Sequence, residues 1–183
     1  MTTTRREQIL DTAATLFAER GFHGVSMHDI GGACGISGPA LYKHFAGKDD
    51  ILTQSLTSIS ERLLAEGRSR SDAAATADAA LDALVDWHIE FALAHRALIV
   101  IQEREWANLG AAGRQAVRTL QLAYIDLWVG TVRHLRGDLD AAEARAAVQA
   151  TFGLINSTPH SARISETAMA SRLATMARAA LLA

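Results

Sequence analysis

The sequence predicts an all-α protein of about nine helices, in which a three-helix domain with a helix-turn-helix precedes a larger helical domain. Three observations favour this class. Only two of the 183 residues are proline, and no stretch shows the apolar–polar alternation of a strand. Apolar residues recur instead at helical spacing, interrupted by breaks that contain glycine. A composition of 49% apolar and 21% charged residues is typical of a folded globular protein with a sizeable core.

Residues 26–45 predict two short helices joined by a tight turn. Ser26 is suited to cap the first helix, because its hydroxyl can accept a free backbone N–H of the first turn. Gly35 suits the left-handed position at which that helix ends. Ser37 is suited to cap the second helix, with Pro39 in its first turn, where a missing N–H costs little.

The second short helix has an inward and an outward side. Leu41 and Phe45 are four residues apart and are predicted to face the core. The outward positions are Gly38, Pro39, Ala40, Tyr42, Lys43 and His44. Small residues allow the backbone to approach base edges, and polar ones reach phosphates. This side of the helix therefore suits a groove of duplex DNA.

These features lie in a segment, residues 5–52, that resembles the DNA-binding domain of the TetR/AcrR family of bacterial regulators. The matching pieces are residues 9–14, 16–22, 26–30, 34–37, 41–45 and 48–52. No piece is specific alone, but their order and spacing are. The resemblance implies a ligand-responsive transcriptional regulator, a repressor that a small hydrophobic effector releases from a pseudo-palindromic operator.

The resemblance also implies roles for individual residues. Ser26, Tyr42 and His44 correspond to positions that contact phosphates. Lys48, which begins the following helix, corresponds to a lysine near the DNA backbone. Bases would be read or approached by Ser37, Gly38, Pro39, Ala40 and Lys43. Because Gly38, Pro39 and Ala40 offer few donors, much of the readout is expected from Lys43, thymine methyl groups and DNA shape.

The overall charge does not itself indicate a nucleic-acid partner. The net charge is −2, and the first 50 residues carry five basic and six acidic side chains. The DNA-binding hypothesis therefore depends on placement, with Arg5, Arg6, Lys43, His44 and Lys48 expected on one surface. So few cations predict a shallow salt dependence per subunit and a reliance on dimerisation for affinity.

The predicted domain boundary falls between residues 47 and 48. Residues 1–47 would form the helix-turn-helix DNA-binding domain, and residues 48–183 the ligand-binding and dimerisation domain. A linking helix is predicted over about residues 48–66, followed by a polar loop at residues 67–71. Later helices are predicted at about residues 73–95, from residue 96, and at 111–136, 139–157 and 165–182.

The middle of the chain places aromatic and polar side chains on shared helical faces. One interpretation is an aromatic core with polar residues at its rim. The other is an effector pocket, because small-molecule sites combine apolar walls with a few convergent polar groups. Its lining would be Trp87, His88, Phe91, Trp106, Gln121, Tyr124, Trp128, Phe152 and Asn156. Such walls would suit an acyl-CoA, a fatty-acid-like molecule or an aromatic compound.

The last two helices are rich in alanine, whose small side chain permits close helix packing. The family resemblance implies that these helices from two copies form a two-fold, four-helix interface. Met169, Leu173, Met176 and Ala180 are predicted to share one stripe of the last helix. A homodimer would place two recognition helices about 34–36 Å apart, one turn of duplex DNA.

Several other classes find little support. No nucleophile elbow, phosphate-binding glycine loop or HExxH motif occurs, and Cys34 is the single cysteine, so no catalysis, metal or cofactor is expected. No apolar run approaches the roughly 18 residues of a membrane span, and the N-terminal residues lack the apolar region of a signal peptide, so a cytoplasmic location without a membrane partner is expected. Two alternatives remain open: a regulator that responds to Cys34 oxidation or to no ligand, and a helical carrier or enzyme.

Overall fold

The computed structural model describes residues 4–183, which form ten α-helices and a short 3-10 turn at Trp106–Asn108, with no strand in that range. The helices are α1 (Arg5–Arg20), α2 (Met27–Ala33), α3 (Gly38–Tyr42), α4 (Lys48–Asp72), α5 (Ala77–Ala94), α6 (Arg96–Arg104), α7 (Ala111–Leu135), α8 (Ala141–Ile155), α9 (Thr158–Ser161) and α10 (Glu166–Leu182). The predicted all-α class is confirmed. All nine predicted helices are present, and the additional α9 is a single turn.

The chain packs as two compact units. The first contains the residues up to Ile59 together with Ala97–Arg118, and the second contains Ser60–Arg96 and Thr119–Ala183. The helices α4 and α7 each contribute to both units. The predicted boundary at residues 47 and 48 follows function rather than packing and stays a prediction. By packing, most of α6 and the first half of α4 belong with the N-terminal helices.

Helix α1 is capped at both ends by residues suited to those positions. Thr4 accepts the Glu7 backbone N–H, and the Glu7 carboxylate accepts the Thr4 N–H in return, which forms a capping box. Gly21 ends the helix with a φ of 74°, a conformation that favours glycine. The buried stripe of α1 includes Ile9 and Phe17, both fully inaccessible to solvent.

The helix-turn-helix also forms as predicted. Gly35 adopts a φ of 66° in the turn, and the Ser37 hydroxyl accepts the Ala40 N–H at the start of α3. A Cβ atom at Gly31 would stand 3.0 Å from the Ile36 carbonyl oxygen, so glycine lets the turn pack directly on α2. No comparable contact surrounds Gly32, whose missing side chain has no structural explanation.

The predicted end of the linking helix at residue 66 is wrong, and so is the polar loop at residues 67–71. Helix α4 continues to Asp72. Gly67 is buried against the Tyr124 ring, where a Cβ atom would stand 2.7 Å from Cε2. Arg70 pairs with Glu66 and Glu90 at 2.8 and 2.9 Å. These packing contacts outweigh the local preference of glycine and serine for a loop.

The start of the next helix is also later than predicted. The sequence places it near residue 73, with Ser71 or Asp72 as the cap, whereas α5 begins at Ala77. The cap is Thr76, whose side chain accepts the Ala79 N–H at 3.2 Å. Ser71 and Asp72 lie inside α4, which continues to Asp72, so neither caps the next helix.

Replacing two glycines by alanine should have opposite effects on stability. Gly67→Ala is expected to lower the free energy of unfolding by about 1–2 kcal/mol, because its methyl group must displace the packed Tyr124 ring. Gly32→Ala is expected to raise it by up to about 1 kcal/mol, because alanine favours a helix and the site is open. Urea unfolding at neutral pH measures both, and equal effects of the two substitutions would contradict the Gly67 contact.

Helix α10 packs on α5 and α8 in the second unit. Its buried stripe contains Met169, Leu173, Ala177 and Leu181. Of the four residues predicted to share a stripe, Met169 and Leu173 are buried within the chain, whereas Met176 is 45% exposed and Ala180 is exposed. On the side of α10 that carries Met176, Ala179 and Ala180 are small and exposed, and Arg172 is exposed and charged. Among the described residues, no helix is long and apolar enough to cross a bilayer.

Candidate nucleic-acid interface and effector site

The outer side of α3 is exposed to solvent, whereas its inner side is buried in the core of the first unit. Leu41 is fully buried and Phe45 is 2% exposed, as predicted. Tyr42 is 57% exposed, an unusual fraction for an aromatic side chain in a folded unit. The predicted contact residues are exposed or half-buried, and we call this set the α3 face: Ser37, Gly38, Pro39, Ala40, Tyr42, Lys43 and His44.

Beside the α3 face lies an open groove of about 610 Å³. We call it the α2–α4 groove, and it is lined by His23, Gly24, Val25, Ser26, Met27, His28, Asp29, Tyr42, Gly47 and Lys48. The structure thus brings together Ser26, Tyr42 and Lys48 from three separate segments, and the family resemblance implies that all three lie at the DNA backbone. The structure adds His23 and His28, which the sequence analysis did not assign to DNA: His23 lies between two matching pieces, and His28 lies within one but at a position given no contact.

Lys48 is more deeply engaged than predicted. Its ammonium donates to the Phe22 carbonyl at 2.7 Å and to the Val25 carbonyl at 2.9 Å. It also lies 4.4 Å from the centre of the Phe22 ring, a cation–π contact. Since an ammonium has three N–H donors, one remains for a ligand in the groove. Lys48 therefore ties the start of α4 to the segment before α2.

Ser26 is committed to its own helix. Its hydroxyl accepts the Asp29 N–H at 3.1 Å, and both its hydroxyl and its backbone N–H donate to the Asp29 carboxylate. Asp29 thus completes a capping box that Glu or Gln more often forms. These hydrogen bonds from Ser26 hold the pKa of the Asp29 carboxyl below its usual range. A phosphate contact from the Ser26 hydroxyl would require that proton to turn away from Asp29.

The two N-terminal arginines, which the sequence analysis expects on the DNA-binding surface, have partners within the first unit. Arg5 donates to the Cys34 carbonyl in the helix-turn-helix turn. The Arg6 guanidinium lies 5.1 Å from the centre of the Phe45 ring. Both side chains therefore brace the α2–α3 pair against α1.

In the second unit, aromatic rings surround a buried histidine. The His88 ring is stacked with Phe152 at 4.5 Å and with Tyr124 at 5.7 Å between ring centroids. Phe152 and Tyr124 are also stacked with each other at 5.6 Å, and Trp128 lies edge-on to His88 at 5.9 Å. The imidazole pairs with the Tyr124 hydroxyl at 3.4 Å and with the Asn156 side-chain oxygen at 3.2 Å. We call this set the His88 cluster: His88, Phe91, Tyr124, Trp128, Phe152 and Asn156.

Burial controls the ionisation of the His88 cluster. It lowers the pKa of the His88 imidazole to about 4, although the hydrogen bond with Asn156 raises it slightly. It also raises the pKa of the Tyr124 phenol well above its usual value. The cluster is therefore neutral at pH 7, and its environment suits an uncharged or apolar group better than an ion.

Three residues predicted to line the effector pocket lie outside the His88 cluster. Trp87 turns to α4, where its N–H donates to the Leu63 carbonyl at 3.2 Å and Arg70 lies over its ring at 4.7 Å. Gln121 lies one turn before Tyr124, and its buried side-chain nitrogen has no hydrogen-bond partner within the described residues. Trp106 belongs to the first compact unit, where it is half-buried. No cluster of metal-ligating side chains occurs in residues 4–183.

The first unit's helix-turn-helix matches a known family in sequence as well as in form. Residues 9–54 match the tetR family of bacterial regulatory proteins, and residues 74–181 match the tetracyclin repressor-like C-terminal domain. The chain belongs to the TetR family. Its all-α fold and its helix-turn-helix are those of this family of DNA-binding transcriptional regulators, which confirms the resemblance found in the sequence.

One curated relative in the TetR family aligns with most of the chain. The HTH-type transcriptional repressor KstR2 of Rhodococcus jostii (strain RHA1) is 32% identical over 143 residues, which cover 74% of this chain and 70% of that protein. KstR2 from Mycobacterium tuberculosis is 33% identical over 110 residues, so this chain spans 55% of its length.

Solved TetR-family structures share the whole fold. A TetR-family transcriptional regulator from Bordetella parapertussis 12822 superposes with a TM-score of 0.83 at 26% identity and covers 94% of this chain and 93% of its own. AibR, solved in complex with isovaleryl coenzyme A and operator DNA, superposes with a TM-score of 0.76 at 22% identity, over 94% of this chain and 97% of its own. At that identity the likeness to AibR concerns the fold.

Proposed function

We propose that this TetR-family protein represses transcription by binding a pseudo-palindromic operator as a homodimer, in the cytoplasm, and that a small hydrophobic effector releases it. The observation that carries this proposal is the α3 face. Leu41 and Phe45 hold α3 rigidly, while Tyr42, Lys43 and His44 extend to solvent. A short helix with a locked inner side and an exposed polar outer side suits insertion into a major groove.

The α2–α4 groove supports separate roles in DNA binding, with some residues contacting phosphates and others contacting bases. Tyr42 and Lys48 line it beside the α3 face, and their donors suit phosphate oxygens. Lys43, at the end of α3, offers the ammonium best suited to read guanine. The names of two similar proteins agree with the proposal: KstR2 is named a repressor, and AibR was solved with operator DNA.

The dimer is proposed to form through α8 and α10. Met176 is 45% exposed on α10, and neighbouring positions on this side are small, such as Ala180. An exposed methionine among small residues on a helix face suits packing against a second copy of the chain. Dimerisation would double the small number of cations that each subunit can offer to DNA.

The effector is proposed to act at the His88 cluster. The Gln121 nitrogen, which has no hydrogen-bond partner within the described residues, would orient a polar group, and the rings would contact an apolar one. An acyl-CoA agrees with the isovaleryl coenzyme A bound to AibR, and fatty-acid-like or aromatic molecules are the other candidates. Release requires that the effector bind the two conformations unequally, so that the DNA-binding one loses population.

Selection from random duplexes tests the proposed function. The wild-type chain should sediment as a dimer at micromolar concentration, enrich a two-fold symmetric sequence, and release it when an acyl-CoA is added. Tyr42→Phe should weaken binding about tenfold, because each subunit loses a hydroxyl donor to a phosphate. Leu122→Ala, at an exposed apolar site on α7, is the control and should bind normally.

Three outcomes of this experiment would change the conclusion. A monomer that enriches no sequence would refute the proposal. Binding that reverses only with oxidant and reductant would support the Cys34 alternative. Enrichment that no acyl-CoA, fatty acid or aromatic compound reverses would leave a regulator without such an effector.

A further inference from the structure

Glu105 is a buried carboxylate with no role in the proposed DNA contacts. It follows α6 directly and is 6% exposed. One carboxylate oxygen accepts the Phe22 backbone N–H at 3.3 Å, and the other accepts the Asn108 side-chain amide at 2.8 Å. A buried carboxylate is costly unless it is hydrogen-bonded, so these two contacts account for how Glu105 is tolerated.

Phe22 is thereby held at both of its backbone groups. Glu105 takes its N–H, and the Lys48 ammonium takes its carbonyl at 2.7 Å. Lys48 also holds the Val25 carbonyl at 2.9 Å, at the entrance to the α2 cap. Hydrogen bonds from the end of α6 and from the start of α4 therefore hold the segment from Phe22 to Val25 in place.

A neighbouring contact strengthens this connection. Arg104, the last residue of α6, donates to the Ala18 carbonyl near the end of α1 at 3.0 Å. Arg104 and Glu105 thus bind backbone groups on either side of Gly21, where the chain leaves α1 with a positive φ. The two side chains at the end of α6 thus bind backbone atoms of Ala18 and Phe22. These contacts do not depend on which side chains Ala18 and Phe22 carry.

The segment from Phe22 to Val25 forms one wall of the α2–α4 groove. His23, Gly24, Val25 and Ser26 line the groove directly after Phe22, and Lys48 lines its other side. A displacement of Phe22 would therefore move a wall of the groove and the ammonium that supplies its charge.

We infer that Glu105 is a positioning residue for DNA binding, which sets the α2–α4 groove for phosphate by fixing the Phe22 backbone. This inference rests on the proposed function. Loss of the carboxylate leaves the Phe22 N–H without its acceptor, so the segment from Phe22 to Val25 can move. Lys48 is hydrogen-bonded to the Phe22 carbonyl and moves with it, away from the phosphate. Glutamine retains an oxygen for the Phe22 N–H, and Asn108 can turn its amide to match, so Glu105→Gln keeps both contacts.

The test compares variants on the duplex that the wild-type chain selects. Glu105→Ala should weaken binding at least tenfold, since each subunit loses a well-placed phosphate contact. The slope of log affinity against log salt concentration should become shallower by about 0.9 per lost contact. Glu105→Gln should restore both quantities. Glu103→Ala, at an exposed position on α6, is the matched control and should behave as wild type.

The salt slope separates positioning from general destabilisation, because a merely less stable protein loses active molecules but keeps its phosphate contacts. Hydrogen exchange at the Phe22 amide should accelerate in Glu105→Ala and not in Glu105→Gln. If Glu105→Ala does not fold, Glu105→Asp takes its place, because its shorter side chain keeps the charge but withdraws from the Phe22 N–H and should flatten the slope.

The outcomes distinguish this inference from the proposed function. If the wild-type chain selects no duplex, the proposed function fails and the inference fails with it. If the wild-type chain binds but Glu105→Ala or Glu105→Asp retains its affinity and salt slope, the inference alone is overturned. An equal loss in Glu105→Gln would also overturn it, because the contact with the Phe22 N–H would then be irrelevant.

Discussion

Lys48→Met is expected to weaken operator binding about a hundredfold, since each subunit of a dimer loses a charged contact worth about tenfold. The loss has two sources. The ammonium no longer offers its remaining N–H to a phosphate. The Phe22 and Val25 carbonyls also lose their donor, so the wall of the α2–α4 groove is no longer held. Fluorescence anisotropy on the selected duplex, over a range of salt concentrations, measures the effect.

The same substitution should lower the free energy of unfolding by about 2 kcal/mol, the usual contribution of hydrogen bonds to a charged group. Lys43→Met is the matched control. Lys43 is exposed at the end of α3, so its loss should leave stability unchanged and relax the base preference instead. If Lys48→Met keeps both stability and affinity, the roles assigned to Lys48 are wrong.

Acidification between pH 6.5 and pH 4 is expected to destabilise the protein through His88 by up to about 3 kcal/mol. Burial lowers the pKa of the folded imidazole to about 4, whereas an unfolded histidine titrates near its ordinary value of 6.5. In this window the unfolded chain binds a proton that the folded chain does not. The stability associated with neutral His88 is therefore fully present above pH 6.5 and is lost as the pH falls.

Urea unfolding at several pH values tests the His88 prediction. His88→Phe, whose ring can still stack with Tyr124 and Phe152, should reduce the loss of stability over this window. His134→Phe, at an exposed position near the end of α7, is the control and should keep the wild-type dependence. An unchanged slope in His88→Phe would show that other groups cause the acid sensitivity.

Local signals in the sequence located the N-terminal elements well. Ser26 and Ser37 start α2 and α3, and Gly35 lies in the turn with its positive φ. These signals succeed because capping and turn geometry depend on residues within about four positions of each other. The outward position of Tyr42 followed from the same short-range spacing.

Local sequence signals gave wrong predictions where distant residues decide the local structure. Gly67 and the serines after it favour a loop, but packing on Tyr124, 57 positions later, keeps α4 helical. The sequence placed Trp87 and His88 in one pocket, whereas Trp87 turns to α4 and only His88 enters the ring cluster. Adjacent residues on a helix point in different directions, so only the positions of the neighbouring helices could assign them.

By itself the sequence determined the all-α class, the helix-turn-helix and the family to which the chain belongs, because each depends on short-range spacing and on motif order. Only the tertiary structure decided that Lys48 and Glu105 hold Phe22 from two sides, since these residues lie 26 and 83 positions from it. Hydrogen bonds between a side chain and a distant backbone group leave no periodic trace in the sequence. Their existence depends on how the helices pack.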